Sequence, residues 1–370
     1  MGINKMKTIV ISGINIVDGG AKSVYDDLLN AIVSAKQYEN NNFILLVSRK
    51  SLFKKYWPYF KIIEFPKSKQ HWINRLYYEY FYFKKLSKKI KPDIWLSLHD
   101  ITPNVVADKR YVYCHNPSPF YSMKLREARY GWKYYLFSKF YKYLYRINIH
   151  KNTAVIVQQN WMADAFKKMY HLNNIIVAKP SVSTAKVPKI DKKSSKFSFI
   201  YPSFPRPFKN FEVLCKATRK LDEEGLENRF EVFITLDGTE NAYSKMLKKK
   251  YGSISNLNFI GLQSRKDLYK YYSKVNCLVF MSKLETWGMP ITEFQNTRKQ
   301  IILADLPYAH ETNGKYLNTR FVDPNDSRAL AKCIKNVMDN VLIQNQRYIL
   351  KNNNFKSVSS WEKLISIIST

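Results

Sequence analysis

The sequence is poor in acidic residues. Its 370 residues include 29 aspartates and glutamates against 61 lysines and arginines, so the formal net charge at pH 7 is +32. A positive field of this size attracts polyanions. The candidate partners are therefore nucleic acid, an anionic membrane face and acidic substrates such as nucleotide diphosphates.

Cysteine is also scarce and scattered. The four cysteines are Cys114, Cys215, Cys277 and Cys333, and no two of them have Cys-x-x-Cys spacing. The spacing indicates neither a zinc site nor a redox motif. We expect reduced, mostly buried thiols in a cytosolic protein.

Long apolar runs are missing as well. No stretch approaches the ~18 to 20 continuous apolar residues of a membrane-spanning helix. The run between Met1 and Val17 is short and is interrupted by Ser12 and Asn15, so it does not have the pattern of a signal peptide. We therefore expect any contact with a membrane to be peripheral.

The remaining composition is that of an ordinary globular protein, with 45% hydrophobic and 24% charged residues, and the length suggests two domains. In the first half, short apolar runs alternate with helical spacing, which predicts a parallel sheet covered on both faces. Strands are predicted over Thr8–Ser12, Phe43–Ser48, Ile62–Phe65, Asp93–Leu98, Arg110–Cys114 and Ala154–Gln158. Helices are predicted over Ser23–Lys36, Trp72–Lys89, Met123–His150 and Met162–Tyr170, with a loop over Gly13–Gly20.

A second alternating series follows a linker marked by Pro180, Pro188 and a run of lysine and serine. Strands are predicted over Phe197–Tyr201, Phe230–Thr235, Leu257–Ile260, Cys277–Met281 and Gln300–Ala304, and helices over Phe211–Glu223, Arg265–Lys274, Pro290–Thr297, Ser327–Asn340 and Ser359–Ile368. We predict α/β domains over 1–180 and 197–355, followed by a C-terminal segment, 356–370. Ligands of open α/β sheets bind at the carboxyl ends of the strands, so two such halves predict an inter-domain cleft.

The segment from Phe280 to Glu293 is the most informative part of the sequence. An apolar strand ends in a polar loop with Gly288, and Pro290 stands where a helix would start, a favourable position for proline. The free N–H groups at such a helix end favour an anion. Glu285 and Glu293 lie eight residues apart, and each carboxylate can accept two hydroxyl donors, as a sugar or ribose diol requires.

This segment resembles the Glu–seven residues–Glu signature of the retaining GT-B glycosyltransferases, in particular family 4, the glycosyl transferases group 1. Flanking stretches also resemble the family: Asn258–Gly261, Leu268–Phe280, Gln300–Ala304, Glu311 and Phe321–Pro324. Tyr201–Asn210, with Arg206 and Lys209, resembles its phosphate-binding loop. In the first half, Gly19-Gly20 and Tyr113–Phe120 resemble its acceptor-side loops, and Ile156–Met162 one of its strand ends.

The resemblance implies a GT-B fold of two Rossmann-like domains with an inter-domain cleft, the C-terminal helix packing back on the first domain. It implies that Glu285 holds hydroxyls of the donor sugar and that Glu293 holds the ribose hydroxyls. The backbone N–H groups of Thr286, Trp287, Gly288 and Met289 would contact the sugar and diphosphate. Arg206 and Lys209 would neutralise the departing diphosphate, where fixed cations lower the barrier. His115 would lie across the cleft near the reacting sugar, with Gly19 and Gly20 on the acceptor side.

The same resemblance implies that the anomeric configuration is retained and that a donor phosphate oxygen takes the acceptor's proton. No cofactor or metal is then expected, and no Asp-x-Asp motif is present. The chain differs from the family in having Thr286-Trp287-Gly288 in place of Gly-Phe-Gly, which we expect to reshape the donor pocket. Gly19–Ser23 does not have the spacing of a nucleotide-binding P-loop.

Two stretches mix basic and aromatic residues densely, His71–Lys91 and Tyr121–Lys151. Basic amphipathic helices rich in aromatics suit the interface of an anionic bilayer. We therefore expect a peripheral protein on the inner face of the cell membrane. Its acceptor would be a lipid-linked glycan of bacterial surface polysaccharide synthesis, O-antigen or capsule, and its donor a UDP- or GDP-linked sugar.

Two other functions compete with this interpretation. The net charge of +32 alone would suit a nucleic-acid-binding protein, but no nucleic-acid-binding motif accompanies it. A degenerate transferase-like subunit that binds a partner is the other alternative, against which the retention of both Glu285 and Glu293 argues.

Overall fold

The computed structural model describes residues 6–121, 123–180, 195–341 and 355–369. These residues form two compact units. The first unit consists of the described residues within Met1–Phe120, Phe140–Ser181 and Asn353–Thr370, and the second of those within Tyr121–Lys139 and Val182–Asn352.

Each unit contains one parallel sheet, and helices connect most of its successive strands. The strands are β1 (Lys7–Gly13), β2 (Asn41–Val47), β3 (Lys61–Glu64), β4 (Ile94–Ser97), β5 (Lys109–Cys114), β6 (Ala154–Val157), β7 (Ile175–Ala178), β8 (Phe197–Tyr201), β9 (Phe230–Ile234), β10 (Leu257–Phe259), β11 (Cys277–Phe280), β12 (Gln300–Ala304), β13 (Thr319–Val322) and β14 (Lys356–Val358). The helices are α1 (Gly19–Ser34), α2 (Gln37–Asn40), α3 (Trp72–Tyr77), α4 (Phe83–Ile90), α5 (Trp132–Arg146), α6 (Asn160–Tyr170), α7 (Phe211–Glu223), α8 (Ala242–Tyr251), α9 (Arg265–Lys274), α10 (Met289–Gln295), α11 (Pro307–Asn313), α12 (Ser327–Met338) and α13 (Trp361–Ser369).

The eight strands of the first sheet have the order β14-β7-β6-β5-β4-β1-β2-β3, and the six strands of the second have the order β10-β9-β8-β11-β12-β13. All neighbouring pairs are parallel. The predicted α/β class is therefore confirmed. Parallel strands need helical crossovers that cover both faces, which explains why the strands are apolar runs without alternation.

Strand β1 shows how both faces of the first sheet are buried. Ile9 and Ile11 face a core that includes α1 and α13, whereas Val10 faces an opposite core with Phe83 and Trp95. The C-terminal segment adds β14 to this sheet beside β7. It therefore contributes both a strand and a helix to the first unit.

Several predicted boundaries differ from the structure. Strand β1 ends at Gly13 and helix α1 begins at Gly19, so the predicted loop over Gly13–Gly20 is one residue too long at its start and two at its end. The single helix predicted over Trp72–Lys89 is interrupted by a π-helical turn over Tyr78–Tyr82. The helix predicted over Met123–His150 is instead a 3-10 turn, Leu125–Tyr130, followed by α5. Helices α2, α8 and α11 and strands β13 and β14 were not predicted, because short elements carry too few apolar residues to show a period.

Residues 121–139 belong to the second unit, although the predicted first domain, 1–180, includes them. Aromatic contacts give the physical reason. Tyr121 packs against Phe208 with ring centroids 5.9 Å apart, and Tyr130 packs against Tyr243 at 5.5 Å. Contacts of this kind join residues distant in the sequence, and no local pattern reveals them.

Candidate active site

The strand order of the second sheet creates a switch point between β8 and β11. Chain order runs outward from β8 through β9 and β10 on one side and from β11 through β12 and β13 on the other. The loops that follow β8 and β11 therefore lie side by side: the Lys283 N–H donates to the Phe208 carbonyl at 2.8 Å. Open α/β sheets bind ligands at such a point.

Asn210 ties three loops together at this switch point. Its side-chain amide donates to the carbonyls of Met281, at 3.1 Å, and Pro324, at 2.7 Å. The residue adopts a left-handed conformation with φ of +57°, which asparagine tolerates better than most side chains. The loops after β8, β11 and β13 are thereby held together.

Lys209 and Glu285 form an ion pair between two of these loops. Lys209 ends the 3-10 turn Pro207–Lys209, and its carbonyl accepts a hydrogen bond from the Tyr201 hydroxyl. The two side chains are 15% and 13% exposed, so both charges are largely removed from water yet remain accessible. The structure thus brings together two of the three residues predicted to be catalytic.

The glycine before α10 is required by the backbone. Gly288 has φ of +86°, and a Cβ there would come within 3.0 Å of the Ile291 side chain. Trp287 is buried, its indole N–H donating to the Thr292 hydroxyl at 2.9 Å and its carbonyl accepting from Thr312. Trp287 therefore anchors this loop to α10 and α11. The backbone roles predicted for Thr286, Trp287, Gly288 and Met289 stay predictions.

Glu293 is buried in α10 and pairs with Arg265 rather than with Lys209. The Arg265 guanidinium lies 3.2 Å from its carboxylate. Burial raises the pKa of Glu293, and the neighbouring Arg265 and Tyr272 oppose that rise. Arg265 was not predicted, because it lies on α9 and only the packing of α9 beside α10 brings it to Glu293.

Arg206 precedes the turn that carries Lys209. Its guanidinium lies beside the rings of Tyr134, at 5.2 Å, Phe204, at 5.7 Å, and Phe208, at 5.9 Å. Among the described residues it forms no ion pair with a carboxylate. Among the described residues, aromatic rings rather than a carboxylate therefore hold this cation.

The remaining predicted site residues lie in the first unit. His115 follows β5, and its backbone N–H donates to the Asp100 carboxylate at 2.8 Å. The same carboxylate accepts from the N–H of Asn116, at 3.0 Å, and from the hydroxyl of Tyr145, at 3.0 Å. Asp100 thus holds the loop that carries His115, a role that the sequence did not predict. Gly19 and Gly20 form the first turn of α1, and a Cβ at either would meet no atom within 4 Å.

A buried cluster of ionisable side chains lies at the corresponding switch point of the first sheet, between β1 and β4. The His99 ring lies 3.2 Å from both the Ser12 hydroxyl and the Glu79 carboxylate, and 3.1 Å from the Arg75 guanidinium. Burial raises the pKa of Glu79 to about 8, with Arg75 opposing. Burial also holds the pKa of His99 well below its ordinary value, so its ring is neutral. Sequence reasoning missed this cluster because Arg75 and Glu79 read as surface residues of a basic helix.

In residues 6–121, 123–180, 195–341 and 355–369, no group of three or more His, Cys, Asp or Glu could hold a metal ion. The helices of those same ranges include none that is long and apolar enough to cross a membrane.

Known proteins resemble this chain in sequence and in structure. Residues 183–356 match the family "Glycosyl transferases group 1". The O-antigen chain mannosyltransferase RfbU of Salmonella typhimurium is 23% identical over 201 residues, 54% of each chain. The chain thus spans about half the length of this curated relative.

Solved structures cover more of the chain. A glycosyltransferase from Rickettsia africae aligns with a TM-score of 0.64 and 18% identity over 90% of this chain and 89% of its own. WaaG, a glycosyltransferase involved in lipopolysaccharide biosynthesis, aligns with a TM-score of 0.65 and 12% identity over 98% and 99%. Anabaena HepE, solved with UDP and glucose, aligns with a TM-score of 0.61 and 12% identity over 90% of each chain. At these identities the likeness establishes the fold. The chain therefore has the predicted GT-B fold, and its residues 183–356 match the model of the glycosyl transferases group 1.

Proposed function

We propose that this protein is a retaining glycosyltransferase. It moves a hexose from a UDP- or GDP-linked donor to a lipid-linked glycan acceptor in bacterial surface polysaccharide synthesis, O-antigen or capsule. The observation that carries the proposal is the Lys209–Glu285 pair, which lies at the switch point of the second sheet and within the family match.

The pair is suited to a ligand that carries both a diphosphate and a sugar. A diphosphate that binds the Lys209 ammonium frees the Glu285 carboxylate to accept sugar hydroxyls. As the bond between the anomeric carbon and the phosphate oxygen breaks, charge grows on the diphosphate, and the fixed cation stabilises it. The acceptor oxygen bonds to the anomeric carbon, and its proton passes to the departing phosphate oxygen. This route requires no protein base and no metal.

The carboxylate of Glu293 and the imidazole of His115 also have proposed roles. Glu293, whose largely buried carboxylate also pairs with Arg265, holds the ribose hydroxyls. His115, whose loop is held by Asp100, contacts the reacting sugar. Gly19 and Gly20 leave room for the acceptor.

Names of the similar proteins support the substrate classes. RfbU is named as an O-antigen chain mannosyltransferase, WaaG as a lipopolysaccharide enzyme, and HepE was solved with UDP-glucose. A sugar nucleotide as donor and a surface glycan as acceptor follow as the proposal for this chain.

Exposed apolar residues of α3 and the π-helical turn support a peripheral place on the inner, anionic face of the cell membrane. Ile73, Tyr77 and Phe81 recur every fourth residue and are 79%, 53% and 67% exposed, so they share one helix face. Exposed Lys84 and Lys85 follow on α4. Apolar and aromatic residues beside lysines suit the headgroup boundary of an anionic bilayer.

Thermal unfolding with UDP, GDP and their sugars, without added metal, tests the proposed activity. A ligand at 100 times its Kd stabilises the folded state by about 2.7 kcal/mol, which raises the unfolding temperature measurably. A shift with one nucleotide that persists in EDTA supports the donor and its metal independence. No shift with any of them, together with tight binding of DNA or RNA, would favour the nucleic-acid-binding alternative.

A further inference from the structure

The phosphate-binding loop of the second unit holds an arginine among aromatic rings. Arg206 contacts Tyr134, Phe204 and Phe208, at 5.2 to 5.9 Å from guanidinium carbon to ring centroid. Its Nε is buried and has no hydrogen-bond partner. The neighbouring cation, Lys209, is by contrast neutralised by Glu285. Of the two cations, Arg206 is thus the one without an acidic partner among the described residues.

Tyr134 reaches Arg206 from a segment far away in the sequence. It lies in the part of α5 that belongs to the second unit. Gly131 makes its placement possible: a Cβ at Gly131 would come within 2.6 Å of the Tyr134 ring. Tyr121 packs on Phe208, one of the other rings around Arg206. The segment 121–139 is therefore fitted to the loop that carries Arg206.

We propose that Tyr134 is a positioning residue that orients Arg206 for the diphosphate of the donor. This inference rests on the proposed function. A ring face attracts a guanidinium through its quadrupole, and stacking leaves the N–H donors at the guanidinium edge available to a phosphate. A carboxylate partner would instead occupy those donors and would compete with the ligand. Tyr134 thereby holds the cation in place without neutralising it.

The test compares nucleoside diphosphates with nucleosides on the full chain. UDP and GDP are the probes, and uridine and guanosine are the phosphate-free controls. For the nucleotide that the unsubstituted protein binds, Tyr134→Ala weakens affinity roughly 2- to 5-fold, the range that one exposed cation–π contact supports. Affinity for the nucleoside is unchanged, and Tyr134→Phe, which keeps a ring face, retains the affinity for the diphosphate.

Two further variants separate positioning from a loss of folding. Tyr143→Ala removes a tyrosine of α5 that is 55% exposed and lies in the first unit, and it leaves nucleotide affinity unchanged. In the Arg206→Ala background, Tyr134→Ala has no further effect on diphosphate binding, because its effect acts through Arg206.

The outcomes distinguish this inference from the proposed function. Diphosphate binding that is equal in the unsubstituted protein and in Tyr134→Ala overturns the inference alone. The inference is also overturned if Tyr134→Ala weakens diphosphate binding as much in the Arg206→Ala background as in the unsubstituted protein, or if Tyr134→Ala weakens nucleoside binding as much as diphosphate binding. Failure of the unsubstituted protein to bind either nucleotide overturns the proposed function and this inference together.

Discussion

At the scale of single residues, the second unit contains two carboxylates with different partners. Glu285 pairs with Lys209 and Glu293 with Arg265. The two carboxylates look alike in the sequence, as the ends of one signature. The structure separates them by partner, since Lys209, in the loop after β8, pairs with Glu285, while the guanidinium of Arg265 on α9 pairs with Glu293.

Glu293→Ala should weaken binding of the donor nucleotide roughly 10- to 150-fold, because a hydrogen bond to a charged group contributes about 1.5–3 kcal/mol. Isothermal titration with UDP or GDP measures this. Arg265→Ala serves as control, since it removes the ion pair but leaves the carboxylate available to the ribose hydroxyls. An equal loss in both variants would mean that the ion pair, rather than a contact with ribose, supports binding.

Lys209→Ala should lower turnover of the sugar nucleotide more than its affinity. The ammonium opposes charge that grows only as the diphosphate departs, so its loss is felt mainly in the transition state. Release of nucleoside diphosphate against donor concentration separates kcat from KM. Lys220→Ala is the matched control, because Lys220 forms an exposed pair with Glu224 in the same unit. A change in KM without a change in kcat would contradict a transition-state role for Lys209.

Glu79→Gln should become more stable relative to the unsubstituted protein as pH rises. Burial raises the pKa of Glu79 to about 8 from an ordinary 4.5, so the folded state prefers the neutral acid. The stability that the protonated Glu79 contributes to the folded state is fully present below pH 4.5 and is lost as the pH rises through 8. Glutamine stays neutral throughout, while Arg75 and His99 are common to both proteins. Urea midpoints at pH 5 and pH 9 measure the difference, and a difference independent of pH would contradict the buried neutral acid.

At the scale of elements, α13 completes the core of the first unit. Trp361, Leu364, Ile365 and Ile368 are all buried in one cluster with α1, and the Trp361 ring lies 5.3 Å from that of Tyr113. The apolar spacing of this helix was readable in the sequence. Its partner was implied only by resemblance, because a helical stripe shows which face is buried and not what covers it.

Leu364→Ala should destabilise the protein by about 2–5 kcal/mol, the typical loss for a fully buried leucine. Lys363→Ala, on the exposed face of the same helix, should change stability by less than about 0.5 kcal/mol. Deleting residues 356–370 should cost more than either, since it also removes β14 from the sheet. Thermal unfolding ranks the three variants, and a deletion as stable as the full chain would show that α13 is dispensable.

At the scale of the whole molecule, the net charge of +32 allows several polyanionic partners. We propose a bilayer among them, because Ile73, Tyr77 and Phe81 are exposed on α3 and the following turn, and an apolar face of this kind suits the boundary between headgroups and acyl chains. Charge alone would bring the protein to the surface, and the apolar side chains would insert there.

The protein should co-sediment with vesicles that contain phosphatidylserine at low salt and dissociate as salt screens the attraction. Replacing Ile73, Tyr77 and Phe81 together with serine should weaken this binding at equal net charge. Trp57→Ser, at another exposed aromatic of the first unit, is the control. If the triple variant sediments as well as the unsubstituted protein, this face does not contact the membrane. If the unsubstituted protein does not sediment at all, the proposal of membrane binding is wrong.

The sequence alone determined the α/β class and most of the strands, because parallel strands buried on both faces leave uninterrupted apolar runs. It also indicated the loop with Glu285 and Gly288, because that loop follows an apolar run, where open sheets bind their ligands, whereas Lys209 was predicted only from the resemblance to the family. Only the tertiary structure decided which charges pair and which segments belong together. The partners of Glu293, His99 and Arg206 come from other helices and loops, and the attachment of residues 121–139 to the second unit depends on aromatic packing. Such contacts depend on how elements pack in space, and local sequence does not encode that packing.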